Sequence, residues 1–260
     1  MSEQSTQIQV SLAQLDDYGP WTTTPEPRRE TDLQALQSRL YADFADFVGT
    51  REGYVFPGRW DNMLAVTNGI DPAEHRRYQR LVRNRYPVTV SVGVGRGETP
   101  VAAVEQASER LQTAGSAQDA TRSEVLSHGE VVDSGAEALT VAHFDIADAT
   151  GKYTDRVDAG AAELLVRETA IELNRYVRES YGGLSSFVGG DNVIAVCPPT
   201  DPERFESAIE HVAESVGVEL RVGVGYGSTA ARAGIDAKHA LEAGREADRP
   251  VTGRQSVADD

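Results

Sequence analysis

Residues 88–111, VTVSVGVGRGETPVAAVEQASERL, and residues 218–241, VELRVGVGYGSTAARAGIDAKHAL, are two copies of one pattern. Each copy starts as an alternating apolar strand, passes through a glycine-rich turn and ends in a helix-like stretch. The copies begin 130 residues apart, and the same offset places Asp61 and Asn62 on Asp191 and Asn192. Duplication of a whole domain explains this repetition, so the sequence predicts two tandem domains of one fold.

Around this pattern, each copy reads as strand, helix, hairpin, helix, strand and helix. The first helix of copy one is predicted to begin after Thr31, with Gln34 completing a capping box. Its apolar stripe contains Leu33, Leu36, Leu40, Phe44 and Phe47. Strands interleaved with amphipathic helices around one tight hairpin predict an α+β fold, in which helices cover one face of an antiparallel sheet.

The composition between and after the copies sets the predicted domain bounds. We expect an N-terminal domain over residues 8–115 and a C-terminal domain over residues 138–250. The polar, Gly/Ser-rich residues 116–137 are predicted to be a linker, and residues 251–260 a flexible tail.

The charge of the chain excludes several classes of function. Its 41 acidic and 25 basic residues give a formal net charge of −16, which disfavours nucleic acid as a partner. Only Lys152 and Lys238 are lysines, a skew that resembles proteins adapted to concentrated salt. A single cysteine, Cys197, excludes an internal disulfide and a thiolate-rich zinc site. With neither a membrane-spanning apolar run nor a signal-like start, we expect a cytoplasmic protein without a membrane partner.

Paired aspartates are the strongest candidate for chemistry. When one residue is allowed to slip, VSLAQLDDYG matches VAHFDIADATG and places Asp16 against Asp145, both at a strand end. Each copy then supplies one carboxylate from its first strand, Asp16 or Asp145, and one from its hairpin, Asp61 or Asp191. Two converging carboxylates favour a hard cation, chiefly magnesium, which completes its coordination with water and substrate phosphates.

The hairpin FVGGDN (residues 187–192) has two interpretations. Its residue types are those of an ordinary hairpin turn, which would need no ligand. Alternatively, Gly189 and Gly190 let phosphate oxygens approach the backbone beside Asp191. Recurrence of both aspartate positions in both copies favours the second interpretation.

The residues also resemble known families. Strand-ending FDI, hairpin GGDN and the later VGVG are similar to the catalytic palm of class III nucleotidyl cyclases and GGDEF-type diguanylate cyclases. The chain as a whole resembles the archaeal GTP cyclohydrolase III family, also called GTP cyclohydrolase IIa. The similarity includes QLDDYGPWTTTPEPRRETDLQALQSRLYADF, RWDN, NGID, RNRYPVTVS, ETP, GSAQD and FVGGDN, and extends over about residues 8 to 250.

This resemblance implies two tandem ferredoxin-like palm domains and a magnesium-dependent GTP hydrolase. The implied reaction opens the imidazole ring of GTP, retains C8 as a formyl group and releases the two outer phosphates. Its product, 2-amino-5-formylamino-6-ribosylaminopyrimidinone 5′-phosphate, enters flavin and deazaflavin biosynthesis. GTP is therefore the expected substrate, and we expect the protein to form a homo-oligomer.

The resemblance also implies roles for individual residues. Asp145 and Asp191 would bind the metal, with the Ile146 carbonyl as a possible third ligand and Asp16 and Asp61 as their copy-one counterparts. Candidates for contacting substrate include Gly189, Gly190 and Asn192 at the second hairpin and Asn62 at the first. The remaining candidates are Asp17, Arg28, Arg29, Asn84 and Arg85.

Alternative functions remain open from the sequence. Asn192 stands where a diguanylate cyclase has glutamate, which argues against cyclase activity. Retention of four carboxylates argues against a catalytically silent nucleotide-binding module. Either palm copy, or both, could hold the triphosphate. Asp17 and Asp148 are equally open as proton-transfer groups or as acids that cap a loop.

Overall fold

Two five-stranded sheets form the centres of two units in the computed structural model, which describes residues 7–131 and 139–253. The first unit comprises residues 1–134 and the second residues 135–260. The elements of the first unit are β1 (Ile8–Leu15), α1 (Tyr18–Thr23), α2 (Glu30–Gly49), β2 (Tyr54–Phe56), β3 (Asn62–Val66), α3 (Pro72–Arg85), β4 (Val90–Gly97), α4 (Pro100–Thr113) and β5 (Leu126–Ser127).

The second unit repeats this order of elements. They are β6 (Leu139–Ile146), a π-helical turn (Thr150–Thr154), α5 (Ala159–Tyr181), β7 (Leu184–Gly189), β8 (Asn192–Cys197), a 3-10 turn (Pro202–Phe205), α6 (Glu206–Val216), β9 (Leu220–Gly227), α7 (Ala230–Glu246) and β10 (Val251–Gly253). The strand orders, β2-β3-β1-β4-β5 and β7-β8-β6-β9-β10, are the same. The predicted tandem α+β palm architecture is therefore confirmed.

Two details of the predicted sheet are wrong. The edge strands β5 and β10 run parallel to β4 and β9, so each sheet is mixed. Helices also cover both faces. Phe144 packs in a core with Leu173 of α5 and Val212 of α6, whereas the opposite face lies against α7. Alternation along β6 produces this result, because successive residues point to opposite faces.

The repeated glycines explain the close packing of the second helix layer. A Cβ added at Gly93 would collide with the Ala107 carbonyl oxygen of α4, and one added at Gly223 would collide with the Ala237 carbonyl oxygen of α7. The helix backbone therefore lies directly on the strand in both units. This shared contact also fixes the equivalence of α4 and α7 at an offset of 130 residues.

The predicted start of α2 and two predicted boundaries also differ from the structure. Helix α2 begins at Glu30 with Arg29 as an N-cap that makes no side-chain capping hydrogen bond, although the predicted residues Leu36, Leu40, Phe44 and Phe47 are buried. The segment predicted as a linker contributes β5, and the one predicted as a tail contributes β10. The other parts of these segments, residues 132–137 and 254–260, lie outside the described residues. None of the described helices is long and apolar enough to cross a membrane.

Candidate active site

Asp145 lies at the end of the central strand of the second unit, beside the β7–β8 hairpin. It is opposite Asn192 of β8 and Arg221 of β9, and it is 6% exposed. Strand alternation places Asp145 on the same face as His143, the face covered by α7. The hairpin reverses through Gly189 at φ 120° and Gly190 at φ 63°, conformations that favour glycine.

Asp191, at the tip of this hairpin, is the second carboxylate of the site. Partial burial raises its pKa, and the negative charge of Asp145 raises it further. Like charges held together in a partly desolvated place repel each other, and a bound cation removes that repulsion. Pairing of Asp145 with Asn192, the chain neighbour of Asp191, places the two carboxylates at the same end of the sheet. Their oxygen donors are of the kind that magnesium prefers, and metal binding by this pair remains a prediction.

Asn192 connects this carboxylate to a half-buried histidine. Its Nδ2 donates to Asp191 Oδ1 over 3.1 Å, and its Oδ1 lies 2.9 Å from His143 Nε2. Because the amide oxygen only accepts, His143 donates through Nε2 in this arrangement. Burial lowers the pKa of His143, which favours the neutral ring. The chain His143–Asn192–Asp191 thus holds the hairpin carboxylate in place.

Basic residues of α7 complete the site, and the sequence analysis missed them. Arg245 Nη2 lies 2.7 Å from Asp145 Oδ1, and Arg245 Nη1 donates to Glu242 over 2.8 Å. Lys238 lies on the same helix, and these three residues line a cleft of about 310 Å³ with His143 and Asn192. The seven-residue spacing of Lys238 and Arg245 on one helix face was an available signal, but nothing local links that face to the hairpin.

The first unit does not repeat the pair of carboxylates. Gln14 lies opposite Asn62, just as Asp145 lies opposite Asn192, so Gln14 is the counterpart of Asp145. The predicted equivalence of Asp16 and Asp145 is wrong by two residues. Alternation does not reveal such a slip, because a shift of two positions leaves every side chain on the same face. The match of Asp61–Asn62 with Asp191–Asn192 is confirmed.

Asp16 instead organises the interior of the first unit. It is 5% exposed and accepts hydrogen bonds from Thr89 Oγ1 at 2.9 Å, Ser91 Oγ at 2.6 Å and the Glu124 backbone N–H at 2.9 Å. The buried Arg122 guanidinium lies 3.6 Å from its Oδ1. Both carboxylate oxygens of Asp16 thus have protein donors, which favours a structural role, and metal binding by Asp16 remains a prediction.

Asp61 also has protein partners. Arg59 lies 3.2 Å from its Oδ2, and Asn62 donates to its Oδ1 over 2.9 Å. The Asn62 amide oxygen in turn accepts from Gln14 over 2.7 Å. Within residues 7–131 and 139–253, no group of three or more His, Cys, Asp or Glu side chains is arranged to hold a metal. Magnesium needs fewer protein ligands when substrate phosphates contribute.

The other predicted arginines contact protein side chains. Arg28 stacks over the Trp21 ring at 3.8 Å, Arg29 pairs with Asp32 at 2.9 Å, and Arg85 pairs with Asp43 at 2.7 Å.

The remaining predicted residues occupy varied surroundings. Asn84 is exposed on α3, and Asp17 sits at φ 50° beside a small cavity of about 210 Å³. Asp148, its counterpart in the second unit, also has a positive φ, of 55°. Ile146 is buried in the core, and coordination by its carbonyl remains a prediction.

Comparisons with known proteins cover nearly the whole chain. The model of the family described as GTP cyclohydrolase III matches residues 10–260. GTP cyclohydrolase III of Halorubrum lacusprofundi is 54% identical over 240 residues, covering 92% of this chain and 93% of that protein. GTP cyclohydrolase III 1 of Halobacterium salinarum is 52% identical over 254 residues, covering 96% of this chain and 100% of that protein.

Solved structures with similar folds include the active GGEEF domain of a diguanylate cyclase from Vibrio cholerae. It is 17% identical and covers 46% of this chain and 85% of that chain, with a TM-score of 0.39.

Proposed function

The chain belongs to the GTP cyclohydrolase III family, and from that premise we propose that it opens the imidazole ring of GTP with magnesium bound in the second unit. The proposed products are 2-amino-5-formylamino-6-ribosylaminopyrimidinone 5′-phosphate and two inorganic phosphates. This reaction would supply flavin and deazaflavin biosynthesis in the cytoplasm.

The observation that supports the magnesium assignment is the placement of Asp145 opposite Asn192, the chain neighbour of Asp191, at one end of the second sheet. Partial burial raises the pKa of Asp191, and the charge of Asp145 raises it further. These two carboxylates would hold the ion, leaving further positions to water and phosphate oxygens. When bound, magnesium supplies charge neutralisation on the triphosphate and activation of water for attack at phosphorus.

The chain's own groups bind and orient the triphosphate. Lys238 and Arg245 place two cations on the α7 wall of the second cleft, where they offset part of the net charge of −16. Gly189 has open space where a Cβ would stand, so phosphate oxygens reach the hairpin backbone without obstruction. The His143–Asn192 contact keeps Asp191 oriented. Together these groups form an anion site beside the carboxylate pair.

Ring opening requires water to add at C8 of guanine and protons to move. In the second unit, Asp148 remains the candidate for proton transfer. It lies in the loop that follows β6, is exposed and is close in sequence to Asp145. Its shared positive φ with Asp17 supports the other interpretation, in which both aspartates shape the same turn.

The decisive experiment incubates purified protein with GTP and magnesium in concentrated KCl, following ultraviolet absorbance and inorganic phosphate together. A formylaminopyrimidine with two phosphates for each GTP supports the proposal. Pyrophosphate with a cyclic nucleotide would assign a cyclase instead, and binding of GTP without turnover would assign a regulatory module. Omission of magnesium, with excess chelator, is the matched control and should abolish turnover.

Sedimentation in the same buffer tests the proposed homo-oligomer.

A further inference from the structure

The first unit contains a cleft in the position that the site occupies in the second unit. Its volume is about 560 Å³, and it lies between α4 and the strands β1 and β3. Gly93 pairs with Leu12 as Gly223 pairs with His143, so Leu12 and His143 are equivalent. The residues that line the two clefts can therefore be compared position by position.

Titratable groups at the site of the second unit have uncharged counterparts in the first unit. Gln14 replaces Asp145, and Leu12 replaces His143. The offset of 130 residues fixed by the glycine contacts gives the other three substitutions. Ser108 stands for Lys238, Gln112 for Glu242 and Gly115 for Arg245. The first cleft thus lacks charged counterparts of Lys238, Arg245 and Asp145.

The two arginines that line the first cleft are already paired. Arg59, on the hairpin, lies 3.2 Å from Asp61. Arg122 donates to Gln14 Oε1 over 2.7 Å and lies 3.6 Å from Asp16. Asp61 and Asp16 offset the charge of these arginines, and Ser108 takes the place of Lys238, so the first cleft offers an anionic ligand less positive charge than the second.

The surfaces that remain are apolar walls with amide groups between them. The walls consist of Leu12, Leu64, Val104 and Leu111, and the amides belong to Gln14, Asn62 and Gln112. Gln14 and Asn62 bond each other, and the amide nitrogen of each keeps a second N–H for a ligand. A mostly apolar cleft of several hundred cubic ångströms with a few polar groups suits a small molecule. Amide side chains offer a donor beside an acceptor, which matches the edge of a purine base.

We propose that the cleft of the first unit binds an uncharged purine nucleoside moiety, independently of the carboxylates of the second unit. The apolar walls contact the faces of the base, and the amides bind its edge. The proposed binding needs neither metal nor phosphate, so it can be measured separately from GTP turnover. It goes beyond the proposed function by assigning a ligand to the copy that lacks the carboxylate pair.

Calorimetric titration of metal-free protein with guanosine in concentrated KCl tests the proposal. Wild type and Asp191→Asn should bind guanosine equally. Ser108→Phe fills the cleft from α4 and should weaken binding at least about 10-fold, a difference of about 1.4 kcal/mol. Glu109→Phe, on the exposed side of the same helix, is the matched control and should bind as wild type does. Gln112→Leu, at an exposed position, is a second test that removes an amide without filling the cleft.

Three results would overturn the proposal: no saturable binding of guanosine to wild type, equal binding by Ser108→Phe and Gln112→Leu, or loss of binding in Asp191→Asn. Competition with a non-hydrolysable GTP analogue and magnesium then identifies the source of the nucleoside. Displacement of guanosine assigns the cleft to the base of the substrate, and simultaneous binding assigns it to a separate nucleoside. Failure of guanosine to bind leaves the GTP turnover assay unaffected, so the two proposals fail separately.

Discussion

Gln14 and Asp145 occupy the same position in two copies of one fold, each opposite an asparagine, Asn62 or Asn192, on the neighbouring strand. The carboxylate at this position repels Asp191 and is paired with Arg245, whereas the amide bonds Asn62 and Arg122. The two copies thus differ in charge at this position. Consequences for activity and stability follow from this difference.

Asp145→Asn and Asp191→Asn should each abolish GTP turnover, lowering kcat/KM by at least about 100-fold, since each removes half of the carboxylate pair. The exposed Asp155→Asn is the matched control and should retain wild-type turnover. Cys197, the single cysteine, is buried in the second unit, so its reaction with a thiol reagent reports whether that unit remains folded. Unchanged turnover in either site variant would refute the metal assignment.

Asp16→Asn should destabilise the first unit by about 3 kcal/mol, because it leaves the buried Arg122 without its counter-charge. Turnover for each folded molecule should fall far less than in Asp145→Asn. Both tryptophans, Trp21 and Trp60, lie in the first unit, so their fluorescence during urea unfolding measures the change. The exposed Asp46→Asn serves as control. A stable but inactive Asp16→Asn protein would restore the catalytic assignment.

Lys238→Gln should raise KM for GTP about 10-fold or more, as expected when one charge-assisted contact to phosphate is lost. Arg249→Gln, at an exposed position beyond the end of α7, removes one positive charge without touching the cleft and controls for the change in net charge. Steady-state kinetics at fixed ionic strength makes the comparison. Equal KM values in the two variants would exclude Lys238 from substrate binding.

The first unit should lose stability in acid because of His75. Its ring is 1% exposed and bonds Ser11 Oγ at 2.7 Å and the Asp71 carbonyl oxygen at 2.7 Å. Burial lowers the pKa of His75 in the folded state and outweighs the hydrogen bond and charge of Asp71, which act in the opposite direction. The unfolded state therefore binds more protons than the folded state. As a result, the free energy of unfolding of the first unit should decrease as the pH falls through about 6.5.

Urea unfolding of His75→Gln, followed by tryptophan fluorescence, should show a smaller dependence on pH between about 7.5 and 5 than wild type, because the histidine that titrates near pH 6.5 is absent. The exposed His128→Gln is the control and should keep most of the wild-type slope. Parallel pH profiles for wild type and His75→Gln would contradict this account.

Gly93→Ala should destabilise the first unit by about 2–3 kcal/mol, because the new methyl group would overlap the Ala107 carbonyl of α4. Gly49→Ala, at the end of α2, has no atom within 4 Å of the added Cβ, and alanine is the better helix former. This control should be neutral or slightly stabilising in the same fluorescence assay. A neutral effect of Gly93→Ala would show that α4 adapts to the added methyl group.

By itself, the sequence determined the duplication, the strand, hairpin and helix order of each copy, and the Asp145–Asp191 pair. These features depend on local periodicity, on turn residues and on a constant offset between the two copies. Each of these signals can be recognised from the order of the residues alone. The buried stripe of α2 was predictable for the same reason, whereas its exact first residue was not.

Only the tertiary structure decided which side chains surround those aspartates. The alternation of side chains along a strand stays the same when an alignment slips by two residues. Only the pairing of strands in the structure therefore shows that Gln14, and not Asp16, matches Asp145. Arg122 reaches Asp16, and Arg245 reaches Asp145, across about a hundred residues of chain. Because close packing between distant segments creates these ion pairs, no local pattern in either segment specifies its partner.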